Sequence, residues 1–309
     1  MTEAFAVRHP VVSAGMGHVA VPRLVAAVSG AGGLGLLATS TLTADEVRAS
    51  LREVRRLTDA PFGANVLLRS ERAVAIAEVV VEARVPVLNL ALGIDVGLVE
   101  EVHRYGGKVM STVTTLRHAL KAEACGVDAV IATGHEAGGH GAAVSTMVLV
   151  PLVARRVAVP VIAAGGFCDG AGLAAALLLG AEGISMGTRF ALAAESPIHQ
   201  RVRDLLLAAG ENDTIVTDQI DGLPSRVLRT ELALALAASS GYTAGTVSTG
   251  SDTFSSLRLG DIGRGVVAIG EVVGAINDTP ACAEIVERAV AQADALIAQR
   301  ARGIVSPPT

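Results

Sequence analysis

Residues 159–190 have the sequence VPVIAAGGFCDGAGLAAALLLGAEGISMGTRF, in which two short runs flank one longer apolar segment. Val159–Ala164 is apolar throughout, as expected of a parallel strand that is covered on both faces. Gly183–Gly187 is predicted to be the next strand, and Gly170–Leu179 between them is predicted to be a helix. The stretch therefore predicts one strand–helix–strand unit with parallel strands.

The same alternation extends back to the N-terminus. Six further strands are predicted at Pro10–Ala14, Gly33–Ala38, Phe62–Leu68, Val85–Ala91, Lys108–Val113 and Ala129–Thr133. Predicted helices lie between them at Val21–Ala31, Thr43–Leu57, Glu71–Ala83, Val96–Arg104, Leu116–Cys125 and Ser145–Arg156. Eight such units predict an α/β fold, a (β/α)8 TIM barrel. A doubly wound open sheet is the alternative, and the count of eight and the lack of a GxGxxG turn after the first strand disfavour it.

The pattern changes after about Leu207. We predict a barrel over residues 1–206, a small lobe over 207–280 that follows the eighth strand and covers the substrate, and a C-terminal helix over 281–309 that packs back on the barrel. The lobe is rich in Gly, Ser, Thr and Asp and has one clear helical run, Thr230–Ser239. Cys282–Arg300 returns to a strong helical period.

Composition excludes several classes of protein. The chain has 309 residues, 51% of them hydrophobic, a net charge of −5, five Phe, two Tyr and no Trp. Nucleic-acid binding is not expected, because the chain lacks both a basic excess and aromatic platforms for bases. No apolar stretch is long enough to predict a membrane span. Three scattered Cys and no recognisable signal peptide predict a cytoplasmic location.

The loops after the predicted strands carry the candidate site, because TIM-barrel active sites lie at the C-terminal ends of the strands. Gly165-Gly166 and Gly187-Thr188 follow strands seven and eight, where such barrels often bind phosphate through backbone N–H groups. The alternative is that each is a tight turn that needs positive φ. The other candidate positions are Ala14-Gly15-Met16 after strand one, Asn65 on strand three and residues 134–141 after strand six.

His140 is the candidate for acid–base chemistry, because an imidazole titrates near neutrality. The alternative is a loop histidine whose nitrogens are satisfied by backbone or water. His18, His135 and Glu136 are weaker candidates. No metal site is predicted, because His135 and His140 lack the fixed spacing of ligands on a helix. Cys168 is expected to fill space rather than to react.

Seven segments occur in an order that resembles the nitronate monooxygenase (2-nitropropane dioxygenase) family, which also includes the flavin-dependent enoyl-ACP reductase II. The resemblance extends over about residues 8–300. The segments are Ala14-Gly15-Met16, Ala31-Gly32-Gly33-Leu34-Gly35, Pro61-Phe62-Gly63-Ala64-Asn65, Gly126-Val127-Asp128-Ala129-Val130, Glu136-Ala137-Gly138-Gly139-His140, Ala163-Ala164-Gly165-Gly166 and Met186-Gly187-Thr188-Arg189-Phe190.

The resemblance implies non-covalent FMN at the C-terminal face of the barrel. The loops at Gly165-Gly166 and Gly187-Thr188 would hold its phosphate, and His140 would lie above the flavin ring as catalytic base or acid. The other residues implied to bind the cofactor are Ala14, Gly15, Met16 and Asn65, which would line the ring, together with Glu136, Gly138, Gly139 and Ala164.

The leading hypothesis is an FMN-dependent oxidation of alkyl nitronates by oxygen, with His140 as base. The alternative is reduction of an enoyl thioester on CoA or a carrier protein, or of a quinone, with NADH or NADPH as electron donor. A homodimer is also expected. A flavin-free aldolase or isomerase is disfavoured, because the chain contains only Lys108 and Lys121 as lysines. The sequence departs from relatives at Thr112, where some reductases have Lys, and at Gly270-Glu271, where many have Gly-Gln.

Overall fold

The computed structural model describes residues 1–239 and 250–305. Eight parallel strands close into a barrel in chain order, and β8 pairs with β1. The TIM-barrel prediction is therefore confirmed. The strands are β1 (Val11–Ser13), β2 (Leu34–Ala38), β3 (Phe62–Leu67), β4 (Val87–Ala91), β5 (Lys108–Val113), β6 (Ala129–Thr133), β7 (Val161–Ala164) and β8 (Gly183–Met186).

Helices α1 (Thr2–Phe5), α2 (Pro22–Gly30), α3 (Ala44–Leu57), α4 (Ala73–Glu82), α5 (Val96–Arg104), α6 (Leu116–Ala124), α7 (Thr146–Ala154) and α8 (Gly170–Leu178) precede or connect these strands. Local sequence fixes several helix starts. At α3, for example, Glu46 N donates to Thr43 Oγ1 at 3.3 Å, and Thr43 N donates to the Glu46 carboxylate at 2.7 Å. This reciprocal pair is a capping box, which satisfies backbone donors that the helix itself leaves unpaired.

Two strands begin two residues later than the sequence pattern indicates. β4 begins at Val87 rather than Val85, and β7 begins at Val161 rather than Val159. Pro86 and Pro160 lie immediately before them and have no N–H to donate to a neighbouring strand, so regular pairing begins after each proline.

The interior of the barrel changes character along its axis. Its lower layers are apolar and include Val12, Leu36, Met110 and Ile162, and the N-terminal residues Met1 and Phe5 pack against this cluster. Higher along three adjacent strands the inward positions become polar. Asn89 Nδ2 donates to Asn65 Oδ1 at 2.6 Å and to Thr112 Oγ1 at 3.0 Å. The polar layer lies toward the C-terminal ends of the strands, where an active site is expected.

The chain continues through α9 (Thr188–Ala191), α10 (Gln200–Leu207), β9 (Thr214–Thr217), β10 (Ser225–Leu228), α11 (Glu231–Ala237), α12 (Ser251–Leu259), a 3-10 helix (Glu271–Ala275) and α13 (Cys282–Val305). β9 and β10 form an antiparallel hairpin. Ile220, Val227, Ala233, Leu236 and Val266 form a separate apolar cluster beside it. α13 packs against α8 and α2 on the outside of the barrel. In the described part of the chain, no helix is long and apolar enough to cross a membrane.

Candidate active site

The fold brings the predicted loops together at one end of the barrel. A Cβ placed on Gly15 would lie 2.4 Å from Asn65 Cβ, so the loop after β1 passes directly over β3. A Cβ on Gly187 would lie 3.6 Å from Met16 Sδ, so the loop after β8 lies against the loop after β1. A Cβ on Gly166 would lie 3.5 Å from Glu136 Cβ, so the loop after β7 lies against the loop after β6.

Asn65 is buried, and its amide has a defined orientation. Its Oδ1 accepts the hydrogen bond from Asn89, so its Nδ2 group is the end that remains for another partner. That nitrogen lies 3.0 Å from the position of a Gly15 Cβ. The polar layer inside the barrel thus directs an amide donor toward the loop after β1.

The two glycine loops offer backbone donors. Gly165 has φ of 100° and Gly166 has φ of 83°, a left-handed conformation that glycine adopts without strain. In the described part of the chain, neither the Gly166 N–H nor the Thr188 N–H donates to a protein acceptor. Unpaired N–H groups on neighbouring loops suit an anionic group such as a phosphate. The loop at Gly165-Gly166 is therefore a tight turn with positive φ, and the same turn leaves an N–H group that can bind an anion.

The His140 loop, residues 134–141, is held from above by the lobe. Gly139 N donates to Arg226 O at 2.9 Å, and Arg226 N donates to Gly139 O at 2.8 Å, so the loop and β10 form a short antiparallel bridge. Gly138 packs against the other side of the lobe, where a Cβ would lie 2.6 Å from the carbonyl carbon of Ile269. Glycine at 138 is therefore required by close packing within the protein.

The Arg226 side chain reinforces this attachment. It is only 5% exposed, and its Nε and Nη2 donate to His135 O at 3.1 and 3.0 Å. Its Nη1 also donates to Thr214 Oγ1 at 2.9 Å and pairs with Glu271 Oε1 at 2.9 Å. The departure from Gly-Gln to Gly270-Glu271 thus provides this buried guanidinium with an opposite charge.

The Glu136 side chain lies beside the Gly165-Gly166 loop and is bound to the start of α7. Its carboxylate accepts from Thr146 N at 2.9 Å and from Thr146 Oγ1 at 2.6 Å, at the first residue of α7. A carboxylate at this position satisfies unpaired donors at the helix start. The Glu136 carboxylate therefore fixes α7. Its carbonyl oxygen accepts from Glu271 N at 3.0 Å, so in the described residues its N–H is the backbone group that remains for contact with a cofactor.

His140 pairs with a carboxylate from the lobe. Its Nε2 lies 2.8 Å from Asp221 Oδ2, and the two side chains are 29% and 31% exposed. Burial raises the pKa of Asp221, but the hydrogen bond and charge of His140, together with the Leu223 N–H, outweigh burial and bring that pKa below its ordinary value. The sequence did not indicate this pair, because no local pattern links residues 81 positions apart.

The remaining candidates are not brought into this arrangement. The His18 ring packs edge-on against Phe254, with ring centroids 5.5 Å apart. Burial, with the charge of Asp169, raises the pKa of Cys168 to about 11, so this thiol is not an activated nucleophile. Over residues 1–239 and 250–305, no three His, Cys, Asp or Glu side chains are grouped to hold a metal.

Comparison with known proteins places the chain in a family. The nitronate monooxygenase family model matches residues 1–80 and 71–292. A probable nitronate monooxygenase of Staphylococcus saprophyticus is 33% identical over 73% of this chain and 77% of its own length. A Mycobacterium tuberculosis protein named (3aS,4S,5R,7aS)-5-hydroxy-7a-methyl-1-oxo-octahydro-1H-indene-4-carboxyl-CoA dehydrogenase is 38% identical over 95% of both chains.

Two solved structures agree with this placement. FabK from Thermotoga maritima superposes with a TM-score of 0.91 at 35% identity and covers 98% of both chains. Nitroalkane oxidase from Streptomyces ansochromogenes superposes with a TM-score of 0.86 at 27% identity, covering 96% of this chain and 99% of its own. On these matches and on the barrel that they share, the protein belongs to the nitronate monooxygenase family and is a flavin-dependent oxidoreductase.

Proposed function

We propose that this protein is an FMN-dependent oxidoreductase that acts on an acyl thioester, with His140 transferring a proton at the carbon next to the thioester carbonyl. The observation that carries the proposal is the convergence of free backbone donors, a directed amide and an imidazole at one end of the barrel. The choice of a thioester is supported by the relative named as a carboxyl-CoA dehydrogenase, whose likeness extends through the lobe at 95% coverage.

The residues present fit FMN. Gly165, Gly166, Gly187 and Thr188 would hold the phosphate through their N–H groups, of which those of Gly166 and Thr188 have no protein acceptor in the described residues. Asn65 would donate from Nδ2 to the flavin ring. Ala14, Gly15 and Met16 would line the ring, and Gly138, Gly139, Ala164 and the Glu136 N–H would complete the site. When bound, FMN supplies the two-electron chemistry that side chains cannot provide.

The protein supplies binding, orientation and proton transfer. The carbon next to a thioester carbonyl is weakly acidic, so an imidazole can remove a proton from it during oxidation or return one during reduction. The His140 loop is attached to both the barrel and the lobe, which fixes the imidazole relative to the glycine loops.

We also propose that the lobe covers the substrate and that the enzyme is a homodimer. A cytoplasmic location is proposed as well, and the three free cysteines support it.

An alkyl nitronate oxidised with oxygen is the second candidate substrate. The matching family model and the Staphylococcus saprophyticus relative favour it. The nitroalkane that corresponds to a nitronate has a weakly acidic carbon next to its nitro group, as a thioester has next to its carbonyl, so the same imidazole can exchange a proton with either substrate.

Anaerobic flavin reduction distinguishes the two candidates. Purified enzyme is expected to be yellow and to release FMN on heating. For a thioester enzyme, NADH, NADPH or a saturated acyl-CoA should bleach the flavin, and an enoyl-CoA should restore the colour after bleaching. Bleaching by a nitronate together with no response to these nucleotides and thioesters would contradict the first proposal and support the second.

Replacing the imidazole tests the role of His140. We expect His140→Ala to keep its FMN but to lose about 10²- to 10⁴-fold in kcat, the usual contribution of a general acid or base. His118→Ala is the matched control, because His118 lies on exposed α6. Steady-state turnover and flavin content are the measurements, and full activity in His140→Ala would exclude the proposed role.

A further inference from the structure

The contact between His140 and Asp221 joins two separate parts of the molecule. His140 lies on a barrel loop, and Asp221 lies in the connection between β9 and β10. The Asp221 carboxylate is itself fixed by its turn, since Oδ1 accepts from Leu223 N at 3.2 Å while Oδ2 faces His140 Nε2 at 2.8 Å. Each carboxylate oxygen therefore has one defined partner.

The chemistry of the two groups decides where the shared proton lies. An ionised carboxylate can only accept hydrogen bonds, so the His140 nitrogen that faces it must carry the proton. The charge of Arg69, on the connection between β3 and α4, also favours the ionised form of Asp221. In the described residues no side chain or backbone group pairs with His140 Nδ1.

We propose that Asp221 is a positioning residue that keeps a proton on His140 Nε2, so that Nδ1 exchanges the proton with substrate. The inference rests on the proposed function, because it assigns the reactive nitrogen of the same imidazole. It also gives the lobe a part in the reaction, since the lobe supplies the group that selects the tautomer.

The pair is poorly suited to a purely structural role. Both side chains are about one third exposed, and ion pairs in such positions contribute little to stability. The lobe is already attached at this loop by two main-chain hydrogen bonds and by the buried Arg226. Loss of the carboxylate should therefore change the imidazole much more than it changes folding.

The decisive measurement is the tautomer of His140 in the flavin-loaded enzyme. With histidines labelled with ¹⁵N, the two ring nitrogens have distinct shifts when protonated and unprotonated, and the His140 signals are assigned by their loss in His140→Ala. The wild-type enzyme should show proton on Nε2. Asp221→Asn should shift the population toward the Nδ1-protonated form, because an amide can donate to Nε2.

Turnover gives a second readout. Asp221→Asn should lower kcat by about 10- to 100-fold, as is usual for carboxylates that orient an imidazole, with KM, FMN content and melting temperature little changed. Asp218→Asn is the matched control, because Asp218 is exposed in the same connection.

The outcomes separate this inference from the proposed function. An unchanged tautomer and unchanged kcat in Asp221→Asn would overturn the inference, and the proposed function would stand if His140→Ala remained inactive. Full activity in His140→Ala would instead overturn the proposed function. A wild-type proton on Nδ1 would overturn the assignment of the reactive nitrogen whatever the activities.

Discussion

Single residues show how far a motif in the sequence determines a site. The glycine loops after β7 and β8 could be placed from sequence alone, because positive φ and close approach both require glycine. The role of the Glu136 carboxylate could not, because it depends on the loop turning back toward Thr146. The role of Asp221 could not be predicted either, since its partner His140 lies on a different part of the fold.

Gly166 offers a test of the cofactor site at this scale. We expect Gly166→Val to empty the flavin site, because its φ of 83° and its unpaired N–H both belong to the phosphate loop. Gly106→Val is the control: Gly106 has a φ of 85°, no atom within 4 Å of a Cβ, and lies at the opposite end of the barrel. Each variant carries about 1–2 kcal/mol of backbone strain.

Flavin absorbance per protein measures the loss of FMN, and melting temperature measures the destabilisation that backbone strain causes. Both variants should melt at similarly reduced temperatures, but only Gly166→Val should lose FMN. Normal flavin content in Gly166→Val, or equal loss in Gly106→Val, would count against a phosphate site at this loop.

Secondary-structure elements were predictable where burial is uniform. The barrel strands are largely buried on both faces, and short β-branched runs, several of them continuously apolar, identified all eight. The hairpin of the lobe escaped prediction because β9 is only four residues long and two of them are not buried, although its β-branched sequence TIVT favours a strand. α12 was missed as well, in a region whose composition resembles that of connecting loops. α10 was missed although its sequence QRVRDLLL has a helical pattern, with Val202 and Leu206 on the buried face.

The N-terminal ends of β5 and β6 are joined by a charged cluster that can be tested through pH. Asp128 pairs with Lys108 Nζ and with His103 Nε2, both at 2.8 Å, and accepts from Val109 N at 2.8 Å. Burial raises the pKa of Asp128, but these three partners outweigh burial, so its pKa lies below the ordinary value of 3.8.

A carboxyl whose pKa is lowered on folding stabilises the protein above its unfolded pKa, and that stability is lost as pH falls through the folded pKa. We therefore expect Asp128→Asn to lower the free energy of unfolding at pH 7 by about 1–3 kcal/mol. The difference from wild type should shrink in acid. Urea unfolding at a series of pH values measures it, with Asp45→Asn as a control because that side chain is 95% exposed. A difference that is constant with pH would exclude the charged cluster as its cause.

At the scale of the whole molecule, barrel and lobe meet at the His140 loop. The family and the barrel were evident from sequence, because the family segments lie at the ends of predicted strands. The contact itself was not, because the arginine at 226 and the carbonyl at 135 lie 91 positions apart. Their hydrogen bonds depend on the three-dimensional docking of the lobe.

Arg226→Met tests this docking. The change removes the hydrogen bonds to His135 O and leaves Glu271 without its partner, so we expect a loss of about 2–3 kcal/mol in unfolding free energy. Amide hydrogen exchange in residues 134–141 should quicken. Arg229→Met is the matched control, because Arg229 is exposed and makes one 3.5 Å hydrogen bond, to Thr214 O. Equal exchange in the two variants would argue that the guanidinium does not hold the loop.

The bridge between Gly139 and Arg226 also constrains how relatives of this protein can be recombined. A chimaera that takes residues 207–280 from one parent and the rest from another would set a foreign edge strand against a native glycine loop. Crossover points chosen from the barrel repeat alone would separate two segments that are hydrogen-bonded to each other. Libraries that inherit both segments from the same parent should therefore yield more folded, coloured clones.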